Sequence, residues 1–357
     1  MKGFNGPDSV AANRLSAAIP TLAEGFAARG FATAAVVNHP LLEPAFGLDR
    51  GFQTYDHPQK TGGAARRADE MVDRSIAVID RLRSGPFFLV VHLIDPHLDY
   101  DAPSPFRGQY STRYPSSLAL PVGDLHALRP RLAHLTADDR EFIKAAYDEE
   151  IAFVDQQLGR FRVALAERGI LNRTLIVLTA DHGEEFFEHG GFEHGHAMWE
   201  QVLRVPLIIS GPGVRPGREG GPVSLVDVAP TLIDAVGGVG QMQFDGVSLW
   251  PNLRTGAAIP ARTLMAQGKL YGPGESMVLR WPLKLVVDDE LRPQRVSDLE
   301  ADPGEQRNLI DADVDSVKWM VTELRGRFTA ASRARDDKPP ALDPGVLDRL
   351  RSLGYVR

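Results

Sequence analysis

The stretch Thr174-Leu-Ile-Val-Leu-Thr-Ala-Asp-His-Gly-Glu-Glu185 decides the fold class of this chain. Its apolar, β-branched run predicts a strand that is buried on both faces of a parallel sheet. The run ends in Asp181 and His182, and open α/β sheets bind their ligands at the carboxyl ends of such strands. An Asp oxygen and a His nitrogen can both bind a metal ion. The stretch therefore predicts an α/β protein with polar site residues at a strand end.

Two other segments of the sequence place imidazole groups beside apolar runs. His97 follows the apolar run 87–93, and the pair His194 and His196 precedes a second apolar run, 205–209. Because the carboxyl ends of parallel strands lie at one edge of a sheet, we expect the loops after these strands to meet. Such a meeting would suit a divalent cation and an anionic substrate. The side chains that it would bring together are Asp181, His182, His97 and His194.

Each of these signals also has a plainer interpretation when it is taken alone. The Asp-His pair could close its strand with an Asx turn. A single histidine in a loop is more often a surface residue, and a His-x-His pair is common in surface loops. The functional interpretation is favoured because all three signals occur at loops of one predicted sheet.

The order of helical and strand patterns predicts the domain organisation. Strands alternate with apolar patterns at helical spacing, which indicate helices over 20–30, 63–84, 137–168 and 226–236. This alternation is typical of a mostly parallel sheet with helices on both faces. Further along, short strands separated by turn residues indicate a small antiparallel sheet closed by a helix. The sequence thus predicts an α/β domain over residues 1–257 and a carboxy-terminal subdomain over 258–357.

The composition excludes several classes of protein. The net charge of −7 argues against a nucleic-acid-binding surface, which would be basic. The absence of cysteine excludes disulfides, thiolate metal sites and a cysteine nucleophile within this chain. No apolar run approaches the roughly 18 residues that a membrane span needs. Residues 1–20 show no signal peptide, so the compartment stays open: cytoplasmic as the chain stands, or periplasmic or secreted if a signal precedes it.

Several acidic residues fit a solvent-exposed role. Glu150 and its polar neighbours look like the solvated face of the predicted helix 137–168, whose apolar face is predicted to include Ile151. The segment 98–136 is long enough to be a functional or mobile loop. A second solvated run, whose first member could also orient a metal ligand, comprises Glu184, Glu185 and Glu188.

Motifs that lie in a fixed order along the chain point to a known family. The most specific are Thr179-Ala-Asp-His-Gly-Glu184, His194-Gly-His-Ala-Met-Trp-Glu200 with Arg204-Val-Pro-Leu207, and Ser297-Asp-Leu-Glu-Ala-Asp-Pro-Gly-Glu305. With these motifs the chain resembles the sulfatase family of the alkaline-phosphatase superfamily along nearly its whole length. The resemblance implies an alkaline-phosphatase-like α/β sandwich. It also implies metal-dependent hydrolysis of a small-molecule or saccharide sulfate ester.

The resemblance further implies a role for each candidate residue. Asp181 and His182 match the family's Asp-His pair, which binds the active-site metal ion, commonly calcium. His97 matches a histidine that contacts the sulfate and is placed to protonate the leaving oxygen. His194 lies near a position that touches the substrate anion, and His196 is an alternative for that position. For a phosphoesterase of the same superfamily, the implied ion is Mg²⁺, Mn²⁺ or Zn²⁺.

The sequence departs from the family pattern at its start. Family members begin with a strand that ends in paired Asp ligands. They continue into a Cys-x-Pro-x-Arg or Ser-x-Pro-x-Arg segment, whose first residue becomes the formylglycine nucleophile. The chain has no such strand at its start and no such segment. We therefore expect an amino-terminally truncated sulfatase that is inactive as it stands; the alternatives are a phosphate or phosphonate monoester hydrolase and a non-catalytic fragment or pseudoenzyme.

Overall fold

The computed structural model describes residues 14–58, 66–123, 128–238, 242–268, 272–312 and 314–331. These residues form two compact units that divide between Arg173 and Thr174. We call them the amino-terminal unit (14–173) and the carboxy-terminal unit (174–331). The sequence predicts a domain boundary at 257/258, which does not coincide with the division between these two units. That boundary stays a prediction. Residues 332–357 of the predicted subdomain lie outside the described residues.

The amino-terminal unit is built on a three-stranded parallel sheet with helices. Its strands, in the order β2-β1-β3, are β1 (Ala32–Val36), β2 (Thr54–Asp56) and β3 (Phe87–Val91). Its helices are α1 (Leu22–Ala27), α2 (Ala68–Leu82) and α3 (Ala137–Glu167). In the register of the sheet, Ala34 lies opposite Thr54 on one side and Leu89 on the other. Parallel strands covered by helices are the predicted arrangement, so the α/β fold class is confirmed.

Both faces of this parallel sheet are covered. Met71 of α2 is fully buried and packs against Ala34 of β1, with Leu89 of β3 beside them. Successive strand residues point to opposite faces, so Phe88 belongs to the other side, where Phe26 of α1 stacks on it at 4.3 Å between ring centroids. Burial of each such side chain stabilises the unit by about 1.5–3 kcal/mol.

The long helix α3 buries a different face from the one that apolar spacing indicates. Ile151 is 44% exposed and Glu150 is 5% exposed, so the sequence prediction is wrong for both residues. The buried side of the helix includes polar side chains among its apolar ones; its members include Phe142, Ala146, Glu149, Glu150, Phe153 and Gln157. Carboxylates on this buried side accept hydrogen bonds from the segment 98–123. Apolar periodicity cannot register a polar residue that is buried because it is hydrogen-bonded.

The carboxy-terminal unit contains small two-stranded sheets and one larger sheet. The two-stranded sheets pair β4 (Ile176–Thr179) with β7 (Leu207–Ser210), and β5 (Glu185–Phe186) with β6 (Phe192–Glu193). The larger sheet, in the order β11-β10-β9-β8, consists of β8 (Leu264–Gln267), β9 (Glu275–Arg280), β10 (Leu283–Asp288) and β11 (Pro293–Asp298). The helices of this unit are α4 (Glu200–Leu203), α5 (Val228–Ala235), α6 (Trp250–Thr255) and α7 (Val314–Ala331). Of all the helices that the structure describes, none is long and apolar enough to cross a membrane.

Strand β4 differs from its prediction in two respects. It pairs antiparallel with β7, with Val177 opposite Ile209, whereas the sequence predicts a parallel strand. Its apolar residues are half-buried instead of buried on both faces, and Ile208 of β7 is 56% exposed. An apolar run predicts an interior strand, but it does not show which strand pairs with it or in which direction.

The predicted antiparallel sheet is confirmed as the four strands β8 to β11. On one face, Leu285 and Val278 pack against Met320 of α7. On the other face, Val286 packs in a cluster with Met198, which comes from the segment just before α4. Because alternate residues of a strand point to opposite faces, both faces of this sheet are used for packing.

Candidate functional site

Asp181 and His182 lie in the turn directly after β4. Asp181 Oδ1 accepts the backbone N–H of His182 at 3.0 Å. His182 Nδ1 lies 3.0 Å from the Gly183 carbonyl oxygen, and because a carbonyl only accepts, Nδ1 carries the proton. The lone pair of the neutral ring is then on Nε2, which lies 3.7 Å from Asp181 Oδ2. The turn thus presents one oxygen donor and one nitrogen donor side by side.

Gly183 holds this turn against the helix α4. Its backbone N–H donates to the Val202 carbonyl at 2.7 Å. A Cβ atom at this position would overlap the backbone of Gln201, so the close approach requires glycine. The glycine that follows the Asp-His pair therefore fixes the position of the pair relative to α4.

The hairpin of β5 and β6 brings His194 onto His182. The two rings are stacked with 3.8 Å between their centroids. His194 Nδ1 lies 2.9 Å from Glu184 Oε1, and the two side chains are 11% and 6% exposed. Burial disfavours a charged imidazole, but the hydrogen bond and the charge of Glu184 outweigh it, so the pKa of His194 is raised. The site therefore places the oxygen and nitrogen donors of Asp181 and His182 beside a ring that favours a positive charge.

Glu185 ties the same hairpin together from the inside. Its side chain is fully buried, and Oε1 accepts the backbone N–H groups of His189 at 3.0 Å and Gly191 at 2.7 Å. Oε2 accepts the Nε2 proton of His196 at 2.6 Å. Burial raises the pKa of this carboxyl group, but these hydrogen bonds and the His196 charge lower it more, so the pKa is lowered overall. His196 is thus the partner of a buried carboxylate, and its contact with a substrate stays a prediction.

A stack of side chains joins the hairpin to the antiparallel sheet. The ring of His189 lies on Trp199 with 3.5 Å between centroids. The guanidinium group of Arg295 on β11 lies 3.0 Å from the centre of a Trp199 ring. A cation–π contact of this kind is worth about 0.5–2 kcal/mol. The antiparallel sheet therefore helps to hold the segment that carries the site histidines.

Asp181 and His182 fit part of a metal site. Their donor atoms are 3.7 Å apart, a spacing that two ligands of one cation adopt at bond lengths of roughly 2.0–2.6 Å. The proton on His182 Nδ1 leaves the opposite nitrogen as the donor, which is how metal-binding histidines are oriented. Within the described residues, no three Asp, Glu or His side chains are grouped so that they could hold an ion together. The pair could therefore provide two ligands, and a metal ion here would need further ligands from elsewhere.

His97 belongs to the amino-terminal unit, in the loop that follows β3. Its Nδ1 lies 2.6 Å from the Leu98 carbonyl oxygen, so Nδ1 carries a proton. The residue is partly buried. The carboxy-terminal unit brings His182 and His194 together as predicted, whereas the meeting of His97 with that site stays a prediction.

Sequence reasoning misses the carboxylates that pair with the site histidines. The predicted solvated run is correct for Glu188, which is exposed. It is wrong for Glu184 and Glu185, which are buried against His194 and His196. The sequence does contain a pattern that predicts these pairs. The adjacent Glu184 and Glu185 precede the glycine pair 190–191, and His194 and His196 follow it. A hairpin turn at that glycine pair places the acidic residues and the histidines opposite each other.

Solved structures share the fold of this chain. A protein solved in complex with its substrate D-glucosamine-2-N,6-O-disulfate has a TM-score of 0.67 and 18% identity, covering 93% of this chain and 86% of that one. The phosphonate monoester hydrolase of Agrobacterium radiobacter has a TM-score of 0.67 and 22% identity, covering 90% and 82%. At these identities the likeness shows the fold alone.

Sequence relatives identify the family. Arylsulfatase K of Danio rerio is 32% identical over 201 residues, which cover 54% of this chain and 38% of that protein. Choline-sulfatase of Rhizobium meliloti (strain 1021) is 30% identical over 240 residues, covering 63% and 46%. The chain thus spans less than half the length of these two relatives. The protein-family model described as Sulfatase matches residues 4–239, which is well over half of the chain. The chain therefore belongs to the sulfatase family.

Proposed function

We propose that this chain contributes residues to a site that hydrolyses sulfate esters of small molecules or saccharides. The observation that carries the proposal is the stack of His194 on His182, with 3.8 Å between ring centroids, beside the carboxylate of Asp181. This stack combines a cation-binding pair with a ring that Glu184 favours in its charged form, and both attract a sulfate group. The names of the relatives and the disulfated substrate of a structural neighbour support this substrate class.

Each residue has a distinct role in this proposal. Asp181 and His182 would hold a divalent cation, Ca²⁺ by the family resemblance, which supplies positive charge for the sulfate oxygens when bound. His194 would contact the sulfate through its own charge. His97 would give a proton from Nε2 to the leaving oxygen, since its Nδ1 proton is donated to the Leu98 carbonyl at 2.6 Å.

The proposal includes the inactivity of this chain by itself. A sulfatase nucleophile arises in a Cys-x-Pro-x-Arg or Ser-x-Pro-x-Arg segment, and the sequence contains no cysteine and no such segment. Without a nucleophile, the cation pair and the histidines bind the ester but do not cleave it. We expect the pure chain to release no nitrophenol from nitrophenyl sulfate. Release at an enzymatic rate would contradict this part of the proposal.

Ligand binding tests the proposed site without turnover. The melting temperature is measured with a chelator, with millimolar calcium, and with calcium and sulfate together. A ligand at about 100 times its Kd stabilises the folded state by about 2.7 kcal/mol, so we expect a rise with calcium and a further rise with sulfate. Asp181→Asn should remove the calcium effect, and His194→Gln should reduce the sulfate effect.

The matched control for this test is Asp315→Asn, which changes a carboxylate that is 97% exposed and should leave both effects unchanged. If the calcium effect persists in Asp181→Asn, the cation is bound elsewhere and the proposed site is wrong. If no ion changes the melting temperature of the unmodified chain, the non-catalytic alternative is favoured.

A phosphate or phosphonate monoester hydrolase is the second candidate function. It is favoured by the fold of the phosphonate monoester hydrolase of Agrobacterium radiobacter, with a TM-score of 0.67. In that case the expected ion is Mg²⁺, Mn²⁺ or Zn²⁺ in place of Ca²⁺. The melting temperature is measured with phosphate or methylphosphonate and one of those ions, and compared with that in sulfate and calcium. A larger rise with phosphate or methylphosphonate would support this candidate.

A further inference from the structure

Two residues of the β5–β6 hairpin that carry side chains take a left-handed backbone conformation. Phe187 has a φ of 71° and Glu193 a φ of 73°. Phe187 lies in the turn at the tip of the hairpin, where its N–H donates to the Gly191 carbonyl at 2.9 Å, and hairpin turns commonly need a positive φ. Glu193 lies outside that turn, as the last residue of β6. The turn therefore accounts for the conformation of Phe187 but not for that of Glu193.

The left-handed conformation is unfavourable for a residue with a side chain such as glutamate. The Cβ atom crowds the following carbonyl oxygen, so glycine, and less readily asparagine or aspartate, are the residues that usually adopt it. Other residues keep it only where the surrounding structure enforces it, and such residues cluster at functional sites. Glu193 is 7% exposed and lies opposite Glu185 in the ladder. Its surroundings in the hairpin therefore hold it in this conformation.

The residue that follows this left-handed position is His194. Its ring lies on that of His182 with 3.8 Å between centroids, and its Nδ1 lies 2.9 Å from Glu184. Gly195, on the other side of His194, is also left-handed, with a φ of 78°. A left-handed residue is the element of many β-bulges, which bend a strand and re-aim side chains beside active sites. The chain thus turns on both sides of the residue that carries the site ring.

The backbone conformation of Glu193 and the position of His194 are coupled by geometry. The φ values that suit a β-branched residue are negative and lie more than about 100° away from the 73° of Glu193. A rotation of that size turns either the chain that follows, which carries His194, or the peptide group before it, which belongs to the ladder with Glu185. The ring of His194 is therefore expected to keep its place on His182 only while residue 193 stays left-handed.

We propose that Glu193 is a positioning residue for His194 and acts through its left-handed backbone, which places the ring of His194 on that of His182. The role of His194 toward sulfate rests on the proposed function, but the placement of its ring does not. Glu193 could also act through its charge. Burial opposes the charged form of His194, and the Glu193 carboxylate is one of the groups that, after Glu184, raise its pKa. Substitutions that all remove this charge separate the two routes.

Four substitutions at residue 193 remove the carboxylate and differ in backbone preference. Glu193→Gln keeps an unbranched side chain of the same length, so its backbone preference is that of glutamate. Glu193→Gly and Glu193→Asn both tolerate a positive φ. Glu193→Val does not, because a β-branched residue is a genuine outlier in that region. Glu188→Val is the matched control, since it makes the same change at an exposed residue of the hairpin that is not left-handed.

The nuclear Overhauser effect between the ring protons of His182 and His194 measures the stack in the metal-free full chain. We expect it in the unmodified chain, in Glu188→Val and in the Gln, Gly and Asn variants of Glu193, and we expect its loss in Glu193→Val. The pKa of His194 should also be lower in Glu193→Val than in the other three, because only there does the ring leave Glu184. Persistence of the ring contact in Glu193→Val would overturn the proposal. Its loss in Glu193→Gln, or in both the Gly and the Asn variants, would do so as well.

Urea unfolding decides the same question if Glu193→Val does not fold. Glu193→Gly and Glu193→Ala both remove the side chain beyond Cβ, so their difference in stability reports on the backbone alone. Glycine is the more stable of the two at a left-handed position, and alanine at an ordinary strand position. We expect the folding equilibrium constant to be larger for the glycine variant, by up to about tenfold. A larger constant for the alanine variant would show that residue 193 is not left-handed and would overturn the proposal.

Sulfate binding separates this inference from the proposed function. The rise in melting temperature with calcium and sulfate should be smaller in Glu193→Val than in Glu193→Gly and Glu193→Asn. If the ring contact is lost in Glu193→Val but sulfate stabilises that variant as much as the other two, Glu193 positions His194 and the role of His194 in the proposed site is wrong. If the ring contact persists in Glu193→Val, the positioning role is wrong, whatever the effect of sulfate.

Discussion

The ring of His194 stacks on the ring of His182 with 3.8 Å between centroids. The β5–β6 hairpin makes this contact possible, because it pairs Glu185 with Glu193 and returns the chain to the turn after β4. Two imidazoles this close are unfavourable when both are protonated, since like charges repel. Glu184 contacts His194, so of the two stacked rings it favours the proton on His194.

Replacement of Glu184 should change the proton equilibrium of His194. In Glu184→Gln we expect a lower pKa of His194. Burial, which opposes the charged ring, is then offset only by the charges of Glu193 and Asp181, without the hydrogen bond and the charge of Glu184. An NMR titration of the ring in metal-free protein measures the change. Glu188→Gln, at an exposed position of the same hairpin, should leave the pKa unchanged. Equal pKa values in the unmodified chain and in Glu184→Gln would show that another group raises the value.

The stability of the hairpin should depend on Glu185. Glu185→Ala removes the acceptor for two backbone N–H groups and the partner of His196. Because these donors are left partly buried without it, the free energy of unfolding should fall by about 1–3 kcal/mol. Glu185→Gln keeps an acceptor oxygen and should cost less. Urea unfolding measures both, and equal losses in the two variants would count against the hydrogen-bond explanation.

The start of α3 should make the stability of the chain sensitive to acid. Thr136 and Asp139 form a capping box, and Asp139 also accepts hydrogen bonds from Ser116 and Ser117. The Ser116 hydrogen bond is the largest of several causes that lower the pKa of Asp139. Its carboxylate therefore contributes stability above its unfolded pKa, and this contribution is lost as the pH falls through the lower folded pKa.

Two substitutions check this expectation. Thr136→Ala should lower the free energy of unfolding by about 1 kcal/mol, the usual effect of a lost helix cap. Asp139→Asn should make the loss of stability below about pH 4 less steep. Asp138→Asn, at the exposed neighbouring position, is the control and should keep the acid dependence of the unmodified chain. Unfolding curves measured across the acid range would contradict the expectation if the two Asn variants behaved alike.

The sequence predicts those parts of the molecule in which apolar pattern and burial coincide. The strands β8 to β11 alternate or run continuously in apolar residues and are bounded by turn residues, and the structure has them as predicted. The position of Asp181 and His182 after a strand is also confirmed. Both predictions depend on short-range features, which a single sequence records well.

The remaining features depend on contacts between distant parts of the chain. Apolar spacing alone misplaces the buried face of α3, because Glu149 and Glu150 are buried through hydrogen bonds to backbone groups about 40–50 residues earlier in the chain. The antiparallel pairing of β4 with β7 likewise depends on the course of the chain between them. An acidic residue in a sequence shows that a charge is present, but not whether a distant donor has removed it from solvent.

Lys284 lies on β10 and is fully buried together with Glu305, whereas Glu200 on α4 is partly exposed. The Nζ atom of Lys284 lies 3.0 Å from a carboxylate oxygen of Glu200 and 3.0 Å from a carboxylate oxygen of Glu305. Glu305 also accepts the backbone N–H of Glu200 at 2.7 Å, so the cluster joins the antiparallel sheet to the helix against which the Asp-His turn is held. Such a buried cluster fixes one arrangement of its partners more than it adds stability, because its desolvation offsets much of its attraction.

Lys284→Met alone should therefore lower the stability more than replacement of the whole cluster does. The single variant leaves two carboxylates near each other without a cation and should lower the free energy of unfolding by about 3–5 kcal/mol. The triple variant Lys284→Met, Glu200→Gln, Glu305→Gln removes all three charges together and should recover part of that loss. Urea unfolding compares them with Lys318→Met, where the lysine side chain is 71% exposed and a change within about 0.5 kcal/mol is expected. If Lys284→Met were as mild as Lys318→Met, the buried cluster would not join the sheet to the helix.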